Sequence, residues 1–175
     1  MNRDPWPDLK GVHVFVVDDN VDSRRLLEQA LHYCGALATV FSSAEAALEA
    51  VNEYLPTLII SDISMPGMTG LDFIRRLRER PPEKGGVIPA IAVTAFYEEF
   101  VVLTARAAGF DAYLTKPINF EALCMLVDHV AGIKRQRDDS AAWTGSPPIP
   151  SVASFERPRP ARVRNTRDQG EPSAR

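Results

Sequence analysis

Leu58-Ile59-Ile60-Ser61-Asp62-Ile63-Ser64-Met65-Pro66 is the stretch from which the rest of the chain can be read. Leu58, Ile59 and Ile60 form an uninterrupted apolar run, the pattern of a strand covered on both faces in a parallel sheet. The run stops at Asp62, and Pro66 and Gly67 then impose a loop. A carboxylate at the mouth of a buried strand is costly unless something uses it. Ligands of open α/β sheets bind at the carboxyl ends of strands. Asp62 is therefore the candidate reactive centre.

The flanking sequence repeats the same unit. Val12–Val17, Ala36–Phe41, Thr57–Ser61, Ile88–Val93 and Ala112–Thr115 read as strands. A first helix is expected from a cap at Asp22 or Ser23, with Leu26, Leu27, Ala30 and Leu31 on one face and Gly35 at its end. Ser42-Ser43-Ala44-Glu45 has capping-box spacing and opens a second helix through about Glu53. Leu71, Ile74 and Leu77 mark a third helix, which ends before Pro81-Pro82. Glu98 and Glu99 begin a fourth that Gly109 closes, and Asn119 caps a fifth lined by Leu123, Leu126, Val127 and Val130. Five β-α units in strict alternation predict an α/β fold: a doubly wound parallel (βα)5 sheet with right-handed crossovers. The expected strand order is 2-1-3-4-5, the flavodoxin-like arrangement.

The chain has 175 residues, of which 45% are hydrophobic. Residues 1–10 read as a flexible leader, 11–135 as one domain and 136–175 as a disordered Pro/Arg-rich tail. Residues 1–133 carry 11 Lys and Arg against 18 Asp and Glu, and residues 134–175 carry 9 against 5. An acidic body with a basic tail does not describe a dedicated nucleic-acid reader. No apolar run reaches the length of a membrane span, and the first residues lack an apolar signal core, so a cytoplasmic protein is expected. Cys34 and Cys124 have no metal-type spacing and read as two reduced thiols.

Polar residues finish four of the five strands: Asp18 and Asp19 on the first, Asp62 on the third, Thr94 on the fourth and Lys116 on the fifth. All fall on one edge of a parallel sheet. Carboxylates about 4 Å apart repel by about 4 kcal/mol at an effective dielectric of 20. A hard divalent cation relieves this, and an oxygen-only site with retained waters suits Mg²⁺. Lys116 adds a positive charge and Thr94 a neutral hydroxyl donor. Metal, ammonium and hydroxyl around one carboxylate is equipment for receiving a phosphoryl group, with Asp62 as nucleophile.

These residues resemble the receiver domains of two-component response regulators. The matching positions are Asp18-Asp19, Asp62 followed by Met65-Pro66-Gly67-Met68-Thr69-Gly70, Thr94-Ala95, and Tyr113-Leu114-Thr115-Lys116-Pro117. The resemblance covers roughly residues 10–133. It implies that Asp62 is the phosphoacceptor for a sensor histidine kinase or a histidine phosphotransfer protein. It implies a Mg²⁺ site made by Asp18, Asp19, Asp62 and the Ser64 carbonyl, with Lys116 pairing the phosphoryl oxygens. Thr94 and Tyr113 are the implied switch residues. Ser64 and Phe96, two beyond Asp62 and Thr94, are the positions that modulate hydrolysis, and the peptide before Pro117 is expected to be cis. Output is expected through protein contacts of the fourth helix, fifth strand and fifth helix, toward a downstream target or as a homodimer, with no DNA-binding domain.

Plainer and rival readings stand beside this one. His13, His32 and His129 share no helical face and read as packing or surface residues, and Arg75, Arg76, Arg78 and Arg80 as a solvated helix face. The tail reads as a linker or remnant, or as a partner-binding or weak nucleic-acid-binding segment built on Arg157, Arg159, Arg162, Arg164 and Arg167 with Trp143 and Phe155 as anchors. The expected protein is a phosphoacceptor with at most autodephosphorylation rather than an enzyme with an external substrate. It is either a free regulator or a module like that of a hybrid kinase. The alternatives are a Mg²⁺-dependent phosphatase with an aspartyl nucleophile, whose Asp-x-Asp pattern is missing at Asp18-Asp19-Asn20, and an unphosphorylated scaffold.

Overall fold

The computed structural model describes residues 6–95 and 99–139, with side chains through residue 132. Five strands run in parallel: β1 (His13–Val17), β2 (Leu37–Phe41), β3 (Leu58–Asp62), β4 (Ala90–Thr94) and β5 (Ala112–Thr115). The helices are α1 (Val21–Tyr33), α2 (Ala44–Ala50), α3 (Gly70–Arg78), α4 (Glu99–Ala108) and α5 (Phe120–Asp139), with a 3₁₀ turn at Pro82–Lys84. The sheet order is β2-β1-β3-β4-β5, as the alternation predicts.

Side-chain alternation divides the core into two layers. Val14, Val16, Leu58, Ile60, Ile91 and Val93 point to one face, where they pack with Leu27 and Leu31 of α1 and Leu123 and Val127 of α5. Phe15, Val17, Ile59, Ala90 and Ala92 point to the other, against Phe73, Ile74 and Leu77 of α3 and Ala105 and Ala108 of α4. Every residue of β3 and β4 is buried, so these two strands form the centre of the sheet. Their register sets Asp62 beside Val93, so β3 and β4 end nearly level.

The loops also depart from the sequence reading. Asn20, not Asp22 or Ser23, caps α1, its side chain accepting from both of those amides. Leu26 is exposed while Leu27, Ala30 and Leu31 are buried. Ser43 caps α2 alone, and Glu45 instead accepts the Met68 amide at 2.9 Å, tying α2 to the loop after β3. The leader expected over residues 1–10 is not loose throughout: Leu9 is fully buried and its amide bonds the Cys34 carbonyl, while Trp6 meets Tyr33 edge-on. α5 continues to Asp139, beyond the boundary expected at residue 135, and residues 140–175 lie outside the described part. The two cysteines are not separate thiols. Cys34 at the end of α1 and Cys124 in α5 are joined as a disulfide.

Arg78 is not part of a solvated face. Its guanidinium donates to the carbonyls of Gly86, Ile88 and Gly109 and to the Asp111 carboxylate, at 2.8 to 3.2 Å. One side chain thus ties the end of α3 to the segments entering β4 and β5. Asp111 also accepts the Ala90 amide at 2.9 Å, closing the knot at the start of β4. Replacing Arg78 by Met keeps the stem and strips three carbonyls of their donor. We expect urea unfolding of Arg78→Met to give a stability loss of about 2 kcal/mol, the scale of losing charged hydrogen bonds to partly buried acceptors.

Candidate functional site

Three strand ends meet at one point. β1 delivers Asp18, β3 delivers Asp62, and the turn after β5 delivers Lys116. Lys116 Nζ donates to Asp62 Oδ2 at 2.7 Å and to Asp18 Oδ2 at 2.9 Å. The other oxygen of each carboxylate accepts a backbone amide two residues on: Asn20 to Asp18 Oδ1 at 2.8 Å, and Ser64 to Asp62 Oδ1 at 3.0 Å. Both aspartates are buried and Asp19 beside them is exposed. One ammonium thus bridges two carboxylates that are 44 residues apart in the chain.

The local sequence explains the aim of each group. Asn20 caps α1, so the chain turns directly after Asp18-Asp19 and cannot carry them away from the sheet edge. Arg24, one turn into α1, donates to the carbonyls of Asp18 at 2.6 Å and Asp19 at 3.0 Å, which fixes that turn. In the loop after β3, Gly67 adopts φ 75° in the turn after Pro66, a conformation that glycine takes without steric cost. Thr69 then caps α3. Gly70, the first residue of α3, lies against the Asp62 backbone so closely that a Cβ there would strike the Asp62 carbonyl oxygen. The Lys116–Pro117 peptide is cis, and the Lys116 amide bonds the Thr94 carbonyl at 2.8 Å, coupling the end of β5 to the end of β4.

Burial alone would push the Lys116 ammonium toward neutrality. Hydrogen bonds and charge from Asp62 and Asp18 outweigh it, and the pKa lies above the ordinary lysine value. Lys116 is therefore cationic at neutral pH. Its contribution to stability is complete below the unfolded lysine pKa and is lost as pH rises through the raised folded value.

Asp18, Asp19 and Asp62 can each offer a carboxylate oxygen within 4.8 Å of the others. An all-oxygen donor set with net negative charge fits a hard divalent cation such as Mg²⁺. Lys116 supplies one positive charge against three negative ones, which leaves room for that cation. Ser64, predicted to lend its carbonyl, stands at the rim, exposed, with its amide on Asp62. Thr94 ends β4, buried on the same edge, and Tyr113 on β5 is half-buried beside the layer that faces α4. Phe96 lies outside the described residues. The sequence reading missed Arg24 and gave Glu45 a capping role; both stand at helical spacings that also suit other uses, and only the fold reveals the carbonyls that Arg24 meets and the Met68 amide that Glu45 accepts.

The family model for the response regulator receiver domain matches residues 14–128. An uncharacterized 14.6 kDa protein of Leptolyngbya boryana is 43% identical over 119 residues, covering 68% of this chain and 89% of that protein. The DNA-binding transcriptional regulator NtrC of Klebsiella pneumoniae is 32% identical over 134 residues. That match takes in 76% of this chain and only 28% of NtrC. Among solved structures, the receiver domain of a sensor histidine kinase from Pseudomonas aeruginosa PAO1 has a magnesium ion coordinated in its active site cleft. It superposes with a TM-score of 0.64 at 24% identity, covering 70% of this chain and 98% of that domain.

A divalent cation at this donor set would draw on the same two carboxylates that Lys116 holds. Removing the ammonium in Lys116→Met should therefore destabilise the metal-free protein and enlarge its thermal stabilisation by MgCl₂ above that of the wild type. Differential scanning fluorimetry across a Mg²⁺ titration reads both effects; equal Mg²⁺ shifts in the two proteins would contradict the competition.

Proposed function

Because the chain belongs to the response regulator receiver domain family, we propose that it is a phosphorylatable switch in a two-component pathway with Asp62 as the phosphoacceptor. The observation that carries the reading is the Asp18–Lys116–Asp62 bridge, with Asp19 alongside, at the carboxyl edge of the sheet.

The donor is a phosphohistidine on a sensor kinase or a histidine phosphotransfer protein. An Asp62 carboxylate oxygen attacks phosphorus, an O–P bond forms, and the P–N bond breaks. The imidazole nitrogen leaves with its electron pair and takes up a proton. No protein base is required, since Asp62 attacks as the carboxylate that the Lys116 ammonium already pairs. Asp18, Asp19, Asp62 and the Ser64 carbonyl would hold Mg²⁺, which supplies charge neutralisation for the phosphoryl oxygens when bound. Lys116 pairs with the remaining oxygen charge, and Thr94 donates its hydroxyl from the end of β4.

Phosphorylation then shifts the population of two packings. The Thr94 hydroxyl moves toward the new oxygens and Tyr113 follows inward. Support comes from a cleft of about 180 Å³ beside Tyr113, lined also by Val102, Leu103, Arg106 and Phe110. Leu103 of its lining and Phe100, elsewhere on α4, are exposed at 56% and 75%. The α4-β5-α5 face is accordingly the output surface for a downstream protein or a second copy. We place this activity in the cytoplasm; among the described residues no helix is long and apolar enough to cross a membrane.

Incubation with acetyl phosphate and Mg²⁺, followed by intact mass measurement, should add one phosphoryl group to the wild type and none to Asp62→Asn. Steady turnover of a generic phosphate ester would instead favour the phosphatase reading, and no incorporation into the wild type would favour an inert scaffold. Within the main reading, the bulk of Phe96, two residues beyond Thr94 in sequence, slows hydrolysis of the acyl phosphate. Phe96→Ala should shorten the phosphoryl lifetime several-fold, and an unchanged or longer lifetime would reject that role.

A further inference from the structure

We propose that Cys34 and Cys124 form a thiol–disulfide couple that ties α1 to α5 and responds to the redox state of its surroundings. They are the only two cysteines of the chain. They stand 90 residues apart in sequence, and the fold brings their Cα atoms to 6.7 Å, within the span a disulfide bridges. Cys34 caps the end of α1, and Cys124 sits in the second turn of α5, eight residues beyond Lys116.

Three observations favour a reversible couple over a permanent staple. First, the α1–α5 seam has an apolar core of its own in Leu27, Leu31, Leu123 and Val127. The fold is thus not a small domain that needs disulfides to compensate for a thin core. Second, both reduced states are accommodated. Buried thiols behave as small apolar groups, and the Ala30 carbonyl oxygen lies 3.6 Å from Cys124 Sγ, ready to accept from its thiol. Third, both cysteines are buried, but Cys124 lies within α5 at 0% exposure while Cys34, at 5%, stands at the end of α1, the part of the seam that opens with least disruption. Cys34 is the one that meets a reagent first, and Cys124 resolves. In reducing compartments such disulfides are typically transient and redox-sensing.

The oxidant is a low-molecular-weight disulfide. The Cys34 thiolate attacks one sulfur of it, forming a mixed disulfide and expelling one thiolate. The Cys124 thiolate then attacks Cys34 Sγ, forming the protein disulfide and expelling the second thiolate. Two protons pass from the protein thiols to the released thiols, and the protein loses two electrons to the reagent. Closure constrains the helix that follows the Lys116 turn against the helix that follows Asp18-Asp19. The redox state therefore sets how readily α5 opens, whether or not Asp62 is phosphorylated.

The test equilibrates the full chain in buffers of graded glutathione to glutathione disulfide ratio. Acid quenching, iodoacetamide alkylation and intact mass then count free thiols. We expect two alkylated cysteines at the reducing end and none at the oxidising end, lost together at one midpoint. Oxidation should raise Tm by about 10 °C, as expected for cross-linking a long loop. It should also slow amide exchange in peptides covering Phe120–Val130 at least about tenfold. Cys34→Ser should melt and exchange like the reduced wild type in both buffers. Two free thiols at every ratio would overturn the proposal. So would a bond that stays closed in the native protein at the most reducing ratio, or equal exchange of α5 in the two states.

Discussion

Three carboxylates at the end of one sheet cannot be left to themselves, and the fold answers with a single ammonium. Lys116 shares its hydrogens between Asp62 and Asp18 at 2.7 and 2.9 Å. Each carboxylate keeps its second oxygen on a backbone amide of its own loop. The aspartates are therefore buried without being orphaned, which is the condition for a charged group to survive inside a fold. The same arrangement stays two positive charges short of neutrality around Asp18, Asp19 and Asp62. A small divalent cation held by these three carboxylates would complete the balance.

Everything else about the architecture serves to bring those ends together. The 2-1-3-4-5 order sets β1 and β3 side by side, with β4 and β5 following. Parallel pairing keeps all five carboxyl ends on one edge. The two apolar layers cover β3 and β4 on both faces, so Asp62 and Thr94 end the two fully buried strands of the sheet. The loops are then fixed one by one: Arg24 on the carbonyls before α1, Glu45 on the Met68 amide, and the start of α3 pressed on the Asp62 backbone. At the far end, Arg78 binds the segments that enter β4 and β5, so the edge opposite the site is fastened as well.

Where the sequence was legible, it was legible because a local pattern and a global need agree. The apolar run before Asp62 reads as a buried strand and is one. The polar residues closing β1, β3, β4 and β5 share an edge because strict β-α alternation makes the strands parallel, and parallel strands end on one side. What escaped reading has a common cause. Arg78, Arg24 and Glu45 are charged residues on short helices, and the sequence does not say whether such a side chain meets solvent or a carbonyl 30 residues away. The pairing of Cys34 with Cys124 is of the same kind, since it depends on how α1 and α5 cross one face of the sheet. The cap of α1 was misassigned by two or three residues because Asn20, Asp22 and Ser23 are all competent cap formers and tertiary placement selects among them.

The central claim is that one oxygen of Asp62 accepts the phosphoryl group, and borohydride trapping tests it most directly. Sodium borohydride reduces an acyl phosphate of aspartate to homoserine and leaves free carboxylates untouched. After phosphorylation, reduction and digestion, peptide sequencing by mass spectrometry should find homoserine at position 62 and aspartate at positions 18 and 19. Homoserine at position 18 or 19, or aspartate retained at all three, would contradict the account.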